Sequence, residues 1–436
     1  MRNGGPAASW KVIPLAPEPA TVIDTKGTDG LYLNSPALEV LPGGRIVTSV
    51  DQCGAGVVDL PGKKGKNPHF KNWLQGKVFT SNDQGKTWDF RQSYPFSNAR
   101  LFRDGNSIYL LGDAGSLQIS KSSDGGNSWT PPEDLTGRDP DGDSYVQAPT
   151  EVLRAHGNIY IVAMKITDFK HKGHYGSTHA AVVMRGLEGS NLLNSKKWTY
   201  LETSTVFREL IPQEALNYFG IPFFRVPHPD RGEAITHRRW ADRMGWHDAH
   251  IVQIKDPNHY WFDPSGKTFH ILASAAAHRS NIAALAKIKE DATGKMSLSL
   301  ESTPAGIKTA FIPLPGGNLK FHILYDEISK LYWLVSNQMR DSMTRAEKIP
   351  ADRQGLPCDE DQRLQLHFSK NLIDWCFAGF VDAGAAAKDF RYDGSMAVRG
   401  NDLCIVSLAG EAAPGANHNA TRLIFYSIPD FRELIY

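Results

Sequence analysis

The segment FFRVPHPDRGEAITHRRWADRMGWHDAH (223–250) concentrates ionisable side chains ahead of an apolar run. Its basic members include Arg225, Arg231, Arg238, Arg239 and Arg243, and its last residues are His247, Asp248 and His250. Guanidinium groups make bidentate hydrogen bonds with carboxylates and sulfates, so such a segment can recognise an acidic group on a ligand. A solvated loop with surface ion pairs is the alternative, and the sequence leaves both open.

Histidine and cysteine are the other residue types whose spacing could do chemistry. His247, His250, His278 and His322 fall near the starts of apolar runs, where they could line one pocket as proton-transfer groups or as neutral, packed imidazoles. They show no HxH or HxxxH spacing, and the four cysteines form no CxxC pair. We therefore predict neither a metal site nor a cofactor, and a disulfide among Cys358, Cys376 and Cys404 stays open.

Short apolar alternations broken by Gly, Asp and Asn are the elements that must position these residues. Runs such as GRIVTSVD (44–51) and KLYWLVSNQ (330–338) follow a turn and a preceding short strand, which is typical of β-meanders. Inner strands are predicted near residues 35, 97, 147, 250, 321 and 394. This spacing predicts an all-β fold, a six-bladed β-propeller with four-stranded antiparallel blades and one domain over residues 1–436. Long loops are predicted near 61–77, 203–246 and 339–363.

Two of these strands contain the same tripeptide, Glu-Val-Leu, at Glu39 and Glu151. One of these carboxylates could be the acid or nucleophile of a two-carboxylate glycosidase. We favour a structural role, because both lie several residues beyond the predicted strand starts.

Two octapeptides share a pattern, SNDQGKTW (81–88) and SSDGGNSW (122–129), and SNLLNSKKW (190–198) and SKNLIDW (369–375) are weaker relatives. Asp can accept hydrogen bonds from turn amides, Gly can adopt positive φ, and Trp can pack between blades, so each pattern predicts a structural hairpin turn. The octapeptides match the Asp-box, and with about six meander units the chain resembles the sialidase-like β-propeller superfamily. In that superfamily these turns lie on the rim, far from the catalytic mouth.

The resemblance implies a site at the starts of the inner strands, where sialidases use three arginines, a tyrosine nucleophile with its glutamate, and an aspartate acid/base. The first arginine position is occupied by Asn34 in LNSPAL (33–38), and the glutamate position by Asp248 in HDAHIV (247–252). Arg279 lies slightly beyond the second arginine position, and Lys320 and His322 lie at the third.

The remaining positions follow in the same way. RYDGSM (391–396) supplies Tyr392 as the nucleophile. SVDQCG (49–54) supplies Asp51 as the acid/base, with Asp59 as the alternative. Arg391, Gln147, His247, His250 and Arg243 are the further substrate contacts that the pattern offers. Because Asn and Lys replace two arginines, we expect the substrate carboxylate clamp to be weaker than in sialidases.

The function implied is an exo-acting glycoside hydrolase that removes a terminal sugar, an acidic one included, from a glycan. The alternatives are an exo-arabinanase-like or polysaccharide-lyase-like activity on the same fold, or a glycan-binding propeller without catalysis. With 48 basic and 47 acidic residues the net charge is +1, so no global attraction to nucleic acid or to anionic membranes is expected. No apolar run has the length of a membrane span or signal peptide. The chain is expected to be periplasmic or secreted if a signal was removed, and otherwise cytoplasmic.

Overall fold

The computed structural model describes residues 13–436 except for Asp29 and the segments 138–143, 172–174, 212–232, 237–238, 242–244, 277–280, 339–361, 385–388 and 412–418. Within these residues the chain forms six antiparallel sheets of four or five strands and two two-stranded hairpins. The six sheets are the blades of a propeller, and their first strands surround a common axis. The predicted all-β, six-bladed fold is confirmed.

Blades 1 to 3 occupy the first half of the chain, and their strands are given from the axis outwards. Blade 1 contains Tyr32–Val40, Ile46–Cys53, Trp73–Ser81 and Asp89–Tyr94, with Gly65–Lys66 also paired to the third strand. Blade 2 contains Ser97–Asp104, Ser107–Asp113, Leu117–Ser122 and Glu133–Asp134. Blade 3 contains Ser144–Val146 and Leu153–Ala155, then Asn158–Ile166, His179–Leu187 and Trp198–Tyr200. Its inner strand is split around Pro149, which cannot donate a ladder hydrogen bond.

Blades 4 to 6 follow the same order. Blade 4 contains Gly245–Val252, Thr268–Ala276 and Ile282–Glu290, with Met296–Ser299 and Phe311–Pro313 outermost. Blade 5 contains Phe321–Asp326, Leu331–Asn337, Arg363–Ser369 and Cys376–Ala383. Blade 6 contains Asp389–Arg399, Asp402–Glu411, Arg422–Ile428 and Ala20–Asp24. The N-terminal strand thus closes the ring as the outermost strand of the last blade.

The segments that connect these strands contain further short elements. The hairpins are Glu233–Thr236 with Arg239–Ala241 and Glu301–Ser302 with Lys308–Thr309. The 3₁₀ turns are Ala55–Asp59, Tyr175–Thr178, Ser195–Lys197, Phe207–Leu210 and Phe431–Leu434. Of the three predicted long loops, 339–363 lies almost wholly outside the described residues. The segment 61–77 contains short strands as well as loop. Most of 203–246 lies outside the described residues, and its described part contains a 3₁₀ turn and short strands.

The two octapeptides form the same turn between the third and fourth strands of blades 1 and 2. Asp83 accepts hydrogen bonds from the Thr87 amide and the Ser81 hydroxyl, at 2.9 and 2.8 Å, and Asp124 repeats both contacts in blade 2. Trp88 packs against Phe425 of blade 6 with 5.4 Å between ring centroids. These turns therefore join neighbouring blades at the end of the molecule opposite to the starts of the inner strands.

Because successive strands are antiparallel, each blade presents two features on one face of the propeller. These are the start of its inner strand and the connection between its second and third strands. We call this the site face and the other, which carries the octapeptide turns, the opposite face.

Candidate active site

Side chains from several inner strands meet on the axis at the site face, around the ammonium group of Lys320. Its Nζ lies 2.7 Å from Oδ2 of Asp393 in blade 6 and 3.3 Å from Oδ1 of Asn34 in blade 1. Asp248 of blade 4 acts on the same ammonium electrostatically. The result is a partly buried cation between two carboxylates, and it brings together Asn34, Asp248 and Lys320 of the predicted set.

A repeated backbone irregularity aims these side chains. In four inner strands the pairing register shifts by one residue, between Asn34 and Ala37, Ser97 and Arg100, His247 and His250, and Tyr392 and Ser395. Each bulge contains a residue other than glycine with positive φ: Ser35 at 51°, Asn98 at 53°, Asp248 at 49° and Asp393 at 55°. Such bulges redirect a side chain and carry backbone strain, which clusters at functional sites.

Asp248 is held in its ionised form. Burial opposes ionisation, but Lys320 and His247 outweigh it and lower the pKa of Asp248 well below its ordinary value. His247 Nδ1 lies 2.7 Å from Asp248 Oδ2. This carboxylate is therefore negative throughout the neutral pH range.

Asp393 has the opposite tendency. Asp393 is 6% exposed, and burial raises its pKa above the ordinary value even though Lys320 opposes the rise. The charge of Asp248 adds to the rise. Two axial carboxyl groups thus differ in proton affinity, which is the pattern that assigns acid and base roles in two-carboxylate enzymes.

A tyrosine lies beside Asp248, and it is Tyr175. Its hydroxyl is 3.4 Å from His247 Nδ1, and its ring centroid is 5.3 Å from that of the buried His179. Half of the Tyr175 side chain faces solvent, but atoms packed about its hydroxyl, followed by the charge of Asp248, raise the pKa of the phenol. A neutral phenol at the mouth of the site follows.

Tyr392, the sequence-predicted nucleophile, lies one residue before the axial position. Its ring contacts Phe390 at 5.6 Å between centroids and packs on the apolar cluster between blades 6 and 1. The following residue of the bulge, Asp393, contacts Lys320 instead. The axial side chain of this strand is therefore the Asp393 carboxylate and not the Tyr392 phenol.

Asp51, the sequence-predicted acid/base, connects two blades. It is 1% exposed, and it accepts hydrogen bonds from the backbone amide of Asn98 and from the Tyr94 hydroxyl, at 2.5 and 3.1 Å. Burial raises its pKa well above the ordinary value. Asp113 repeats this arrangement one blade later by accepting from the Gln147 amide at 2.9 Å, and burial raises the pKa of Asp113 to about 7. A carboxylate-to-amide contact that recurs between successive blades indicates a structural role for Asp51. A buried carboxyl group with a raised pKa is also suited to act as an acid.

The other predicted contacts surround or support this centre. Gln147 is buried beside the guanidinium of Arg100, which also donates to the carbonyls of Ala148 and Val162. His250 donates to the Phe321 carbonyl over 2.7 Å, and burial lowers its pKa to about 3.

His322 and Arg391 complete the set. The His322 ring lies 5.5 Å from that of His250, and burial lowers its pKa as well, so both imidazoles are neutral. Arg391 binds Asp382 at 2.6 Å, in the seam between blades 5 and 6. Arg279 and Arg243 lie outside the described residues.

Sequence reasoning missed Asp393, Tyr175 and His179. Asp393 was within the quoted RYDGSM, and its neighbour Gly394 was a signal for a bulge. Tyr175 and His179 end the connection between two strands of blade 3, and no local pattern indicates that this connection folds back onto the axis.

Across the part of the chain that the structure describes, no group of three His, Cys, Asp or Glu side chains could hold a metal ion. Cys53, Cys376 and Cys404 are unbonded thiols there, and Cys358 lies outside the described residues. No helix in the same residues has the length and apolar character needed to cross a membrane.

Comparison with known proteins supports the fold. No protein-family model and no curated protein matches the sequence. Trypanosoma rangeli sialidase in complex with 2,3-difluorosialic acid is similar in structure, with a TM-score of 0.53 and 10% identity over 97% of this chain and 60% of that chain. The chain therefore spans less than two thirds of the trypanosomal protein.

Two other solved structures give the same result. A protein of unknown function from Dyadobacter fermentans has a TM-score of 0.52 and 12% identity, over 94% of this chain and 98% of that chain. A Hadza microbial sialidase has a TM-score of 0.52 and 10% identity, over 94% and 68%. At these identities the likeness shows the fold, a six-bladed β-propeller, and leaves activity to be argued from the site.

Proposed function

We propose that the protein is an exo-acting glycoside hydrolase whose catalytic carboxyl groups are Asp393 and Asp248. The observation that carries the proposal is the Lys320-centred pair, in which Asp393 has a raised pKa and Asp248 a lowered one. In glycoside hydrolysis one carboxylic acid protonates the glycosidic oxygen as its bond to the anomeric carbon breaks. The second carboxylate attacks that carbon or deprotonates the incoming water.

The charge balance favours a neutral terminal sugar. Among the described residues, the cation on the axis is Lys320, and it is already bound to Asp393 and close to Asp248. Arg391 is bound to Asp382, away from the axis. Of the residues that the structure describes, a sugar carboxylate on the axis would therefore meet two carboxyl groups and no uncommitted cation.

A second mechanism is supported by a separate observation. Tyr175 is half exposed and lies beside His247 and Asp248, so its hydroxyl can serve as the nucleophile of a sialidase-like reaction. A neutral nucleophile suits an acidic sugar, because it avoids charge repulsion. This mechanism retains the Asp248 base that the sequence predicted and replaces Tyr392 by Tyr175.

Leaving-group dependence separates the candidate acids. Hydrolysis rates are measured on aryl glycosides of neutral sugars and of sialic acid, with good and poor leaving groups. Asp393→Asn should lower kcat on poor leaving groups by about 10²–10⁴-fold and have little effect on good ones, because only the former need a proton. Asp248→Asn should lower both.

Asp51→Asn is the matched test of the sequence-predicted acid. If Asp51 donates the proton, this variant shows the leaving-group dependence and Asp393→Asn does not. Release of sialic acid that is lost in Tyr175→Phe would favour the tyrosine mechanism. An ultraviolet-absorbing unsaturated product would indicate a lyase, and glycan binding without turnover on any substrate would indicate a non-catalytic propeller.

A further inference from the structure

Two connections on the site face bring three aromatic rings together at the surface. Residues 54–72 join the second and third strands of blade 1, and residues 167–178 do so in blade 3. The ring of His69 stacks on that of Phe169, with centroids 4.5 Å apart and planes 10° apart, and Phe70 contacts Phe169 edge-on at 5.9 Å. We call His69, Phe70 and Phe169 the aromatic platform.

The two phenylalanines of the aromatic platform are exposed although they are apolar. Phe70 is 58% exposed and Phe169 is 41% exposed. Exposed aromatic faces that contact one another across two loops are a common feature of binding surfaces, because each ring offers a large contact area at low entropic cost.

Buried contacts fix the position of the platform. The Asn67 side chain is buried, and its Oδ1 accepts from the amides of His69 and Phe70, both at 2.9 Å. Pro68 packs on Gly115 of blade 2, where an added Cβ would come within 2.6 Å of the proline ring. The rings are therefore preorganised, which lowers the entropy lost on binding a ligand.

The two connections that carry the platform are rich in lysine. Residues 61–72 and 167–171 contain five lysines and one acidic residue, while the whole chain has a net charge of only +1. The lysines are Lys63, Lys64, Lys66, Lys71 and Lys170. Two of them are positioned: Lys64 donates to the carbonyls of Val58 and Leu60, and Lys66 lies over the ring of Trp73 at 5.4 Å. This local charge favours an anionic ligand.

The platform is close to the candidate active site. Phe169 and Tyr175 belong to the same connection and are six residues apart, so their Cα atoms are at most roughly 20 Å apart. Tyr175 contacts His247 beside Asp248. A glycan of a few sugar units can therefore reach from the axis to the platform.

We propose that the aromatic platform and its lysines bind anionic sugar residues of the glycan whose neutral terminal sugar lies on the axis. The apolar face of a sugar ring stacks on Phe70 or Phe169, and its carboxylate or sulfate pairs with a lysine. The proposal rests on the proposed function for the placement of the terminal sugar. Stacked rings in a basic setting also suit single-stranded nucleic acid, but the connection to the axial carboxyl groups favours a glycan.

Binding without turnover tests the proposal. Titration calorimetry with oligogalacturonates, heparin oligosaccharides and neutral oligosaccharides of matched length is carried out on the full chain and on Asp393→Asn. We expect the acidic oligosaccharides to bind both proteins, at least tenfold more tightly than the neutral ones, with affinity that falls as salt rises. Phe169→Ala, Phe70→Ala and the double variant Lys66→Gln/Lys71→Gln should each weaken this binding by about tenfold.

Matched controls are Tyr260→Ala, whose side chain is 62% exposed on the opposite face, and Lys86→Gln in the exposed octapeptide turn there. These should bind as the unmodified chain does. Equal affinity for neutral and acidic oligosaccharides, equal loss in platform and control variants, or tighter binding of oligo-dT would each overturn the proposal. Since no step needs hydrolysis, an inactive but acid-glycan-binding protein would contradict the hydrolase and leave the platform supported.

Discussion

Lys320 acts on both axial carboxyl groups. Its ammonium is bound to Asp393 at 2.7 Å and stabilises the charge of Asp248 through space. A buried ion pair of this kind is weak evidence for stability, because desolvation offsets much of the attraction. Lys320 lowers the pKa of both partners, so their different proton affinities come from burial, which outweighs the ammonium at Asp393 and is outweighed at Asp248.

At the far end of the same axis, Glu39 predicts a pH dependence of stability. Burial, with the charge of Glu151, raises the pKa of Glu39 from 4.5 to about 8. A carboxyl whose pKa is raised by folding stabilises the fold fully below its unfolded pKa, and this contribution is lost as pH rises through about 8. Glu39→Gln should remove this loss, and at pH 9 it should be more stable than the unmodified protein by roughly 1–3 kcal/mol.

Urea unfolding at pH 5 and pH 9 measures this difference. Glu188→Gln is the control, because Glu188 lies at the same end of the molecule in an ion pair with Arg154. An unchanged pH dependence of the free energy of unfolding in Glu39→Gln would show that the Glu39 carboxyl ionises normally. The repeated Glu-Val-Leu would then have no electrostatic role at this position.

Candidate site residues at the starts of inner strands could be predicted from the sequence. A residue that a bulge turns toward the axis could not. Asn34 and Lys320 are in contact, as their positions at the starts of two inner strands indicated. In RYDGSM, however, a one-residue irregularity places Asp393 at the axis and Tyr392 in the seam. Side chains alternate with a period of two, so a single extra residue changes which one faces the axis.

The inner strand is the element that creates the site, and its bulge recurs in four blades. Ser35, Asn98, Asp248 and Asp393 all adopt positive φ at this level. Asn and Asp tolerate this conformation better than most residues, which connects the polar character of the axis with the backbone geometry. The recurrence could not be recognised from the sequence, because these four residues occupy the same place in their strands but are not flanked by a common sequence pattern.

The octapeptide turn is the element that the sequence predicted most fully, because its contacts are local. Asp124 accepts from the Ser128 amide, the Ser128 hydroxyl and the Ser122 hydroxyl, at 2.9, 2.6 and 2.8 Å. Asp124→Ala removes all three bonds and should lower the free energy of unfolding by about 1–2 kcal/mol. The variant should keep its activity per folded molecule, since the turn lies on the opposite face.

Chemical denaturation and steady-state kinetics on the same samples check this. Asp89→Ala is the comparison, because the Asp89 side chain is largely exposed and pairs with Arg91. It should change stability by less than about 0.5 kcal/mol. A loss of kcat in Asp124→Ala without a loss of stability would mean that the octapeptide takes part in the chemistry.

For the whole molecule, the sequence indicated the number of blades but not how the ring closes. Repeated turns and inner strands are local patterns, and they were sufficient to count six units. The closing strand, Ala20–Asp24, pairs with Arg422–Ile428, about 400 residues away, and nothing in its letters indicates that partner. Closure joins the two ends of the chain in one sheet and leaves each inner strand with a neighbour on both sides.

Closure should therefore be a measurable part of the stability of the whole ring. In the closing strand Val22 is 9% exposed and packs in the cluster between blades 6 and 1, whereas the neighbouring Thr21 faces solvent. Val22→Ala should lower the free energy of unfolding by about 1–3 kcal/mol, and Thr21→Ala by less than about 0.5 kcal/mol. Intrinsic fluorescence and glycan binding should report one shared urea midpoint, because opening one seam removes the packing that holds the others. Equal urea midpoints for the two variants would contradict this prediction. Glycan binding that persists above the urea concentration of the fluorescence transition would also contradict it, because the remaining blades would then be folded without the closing strand.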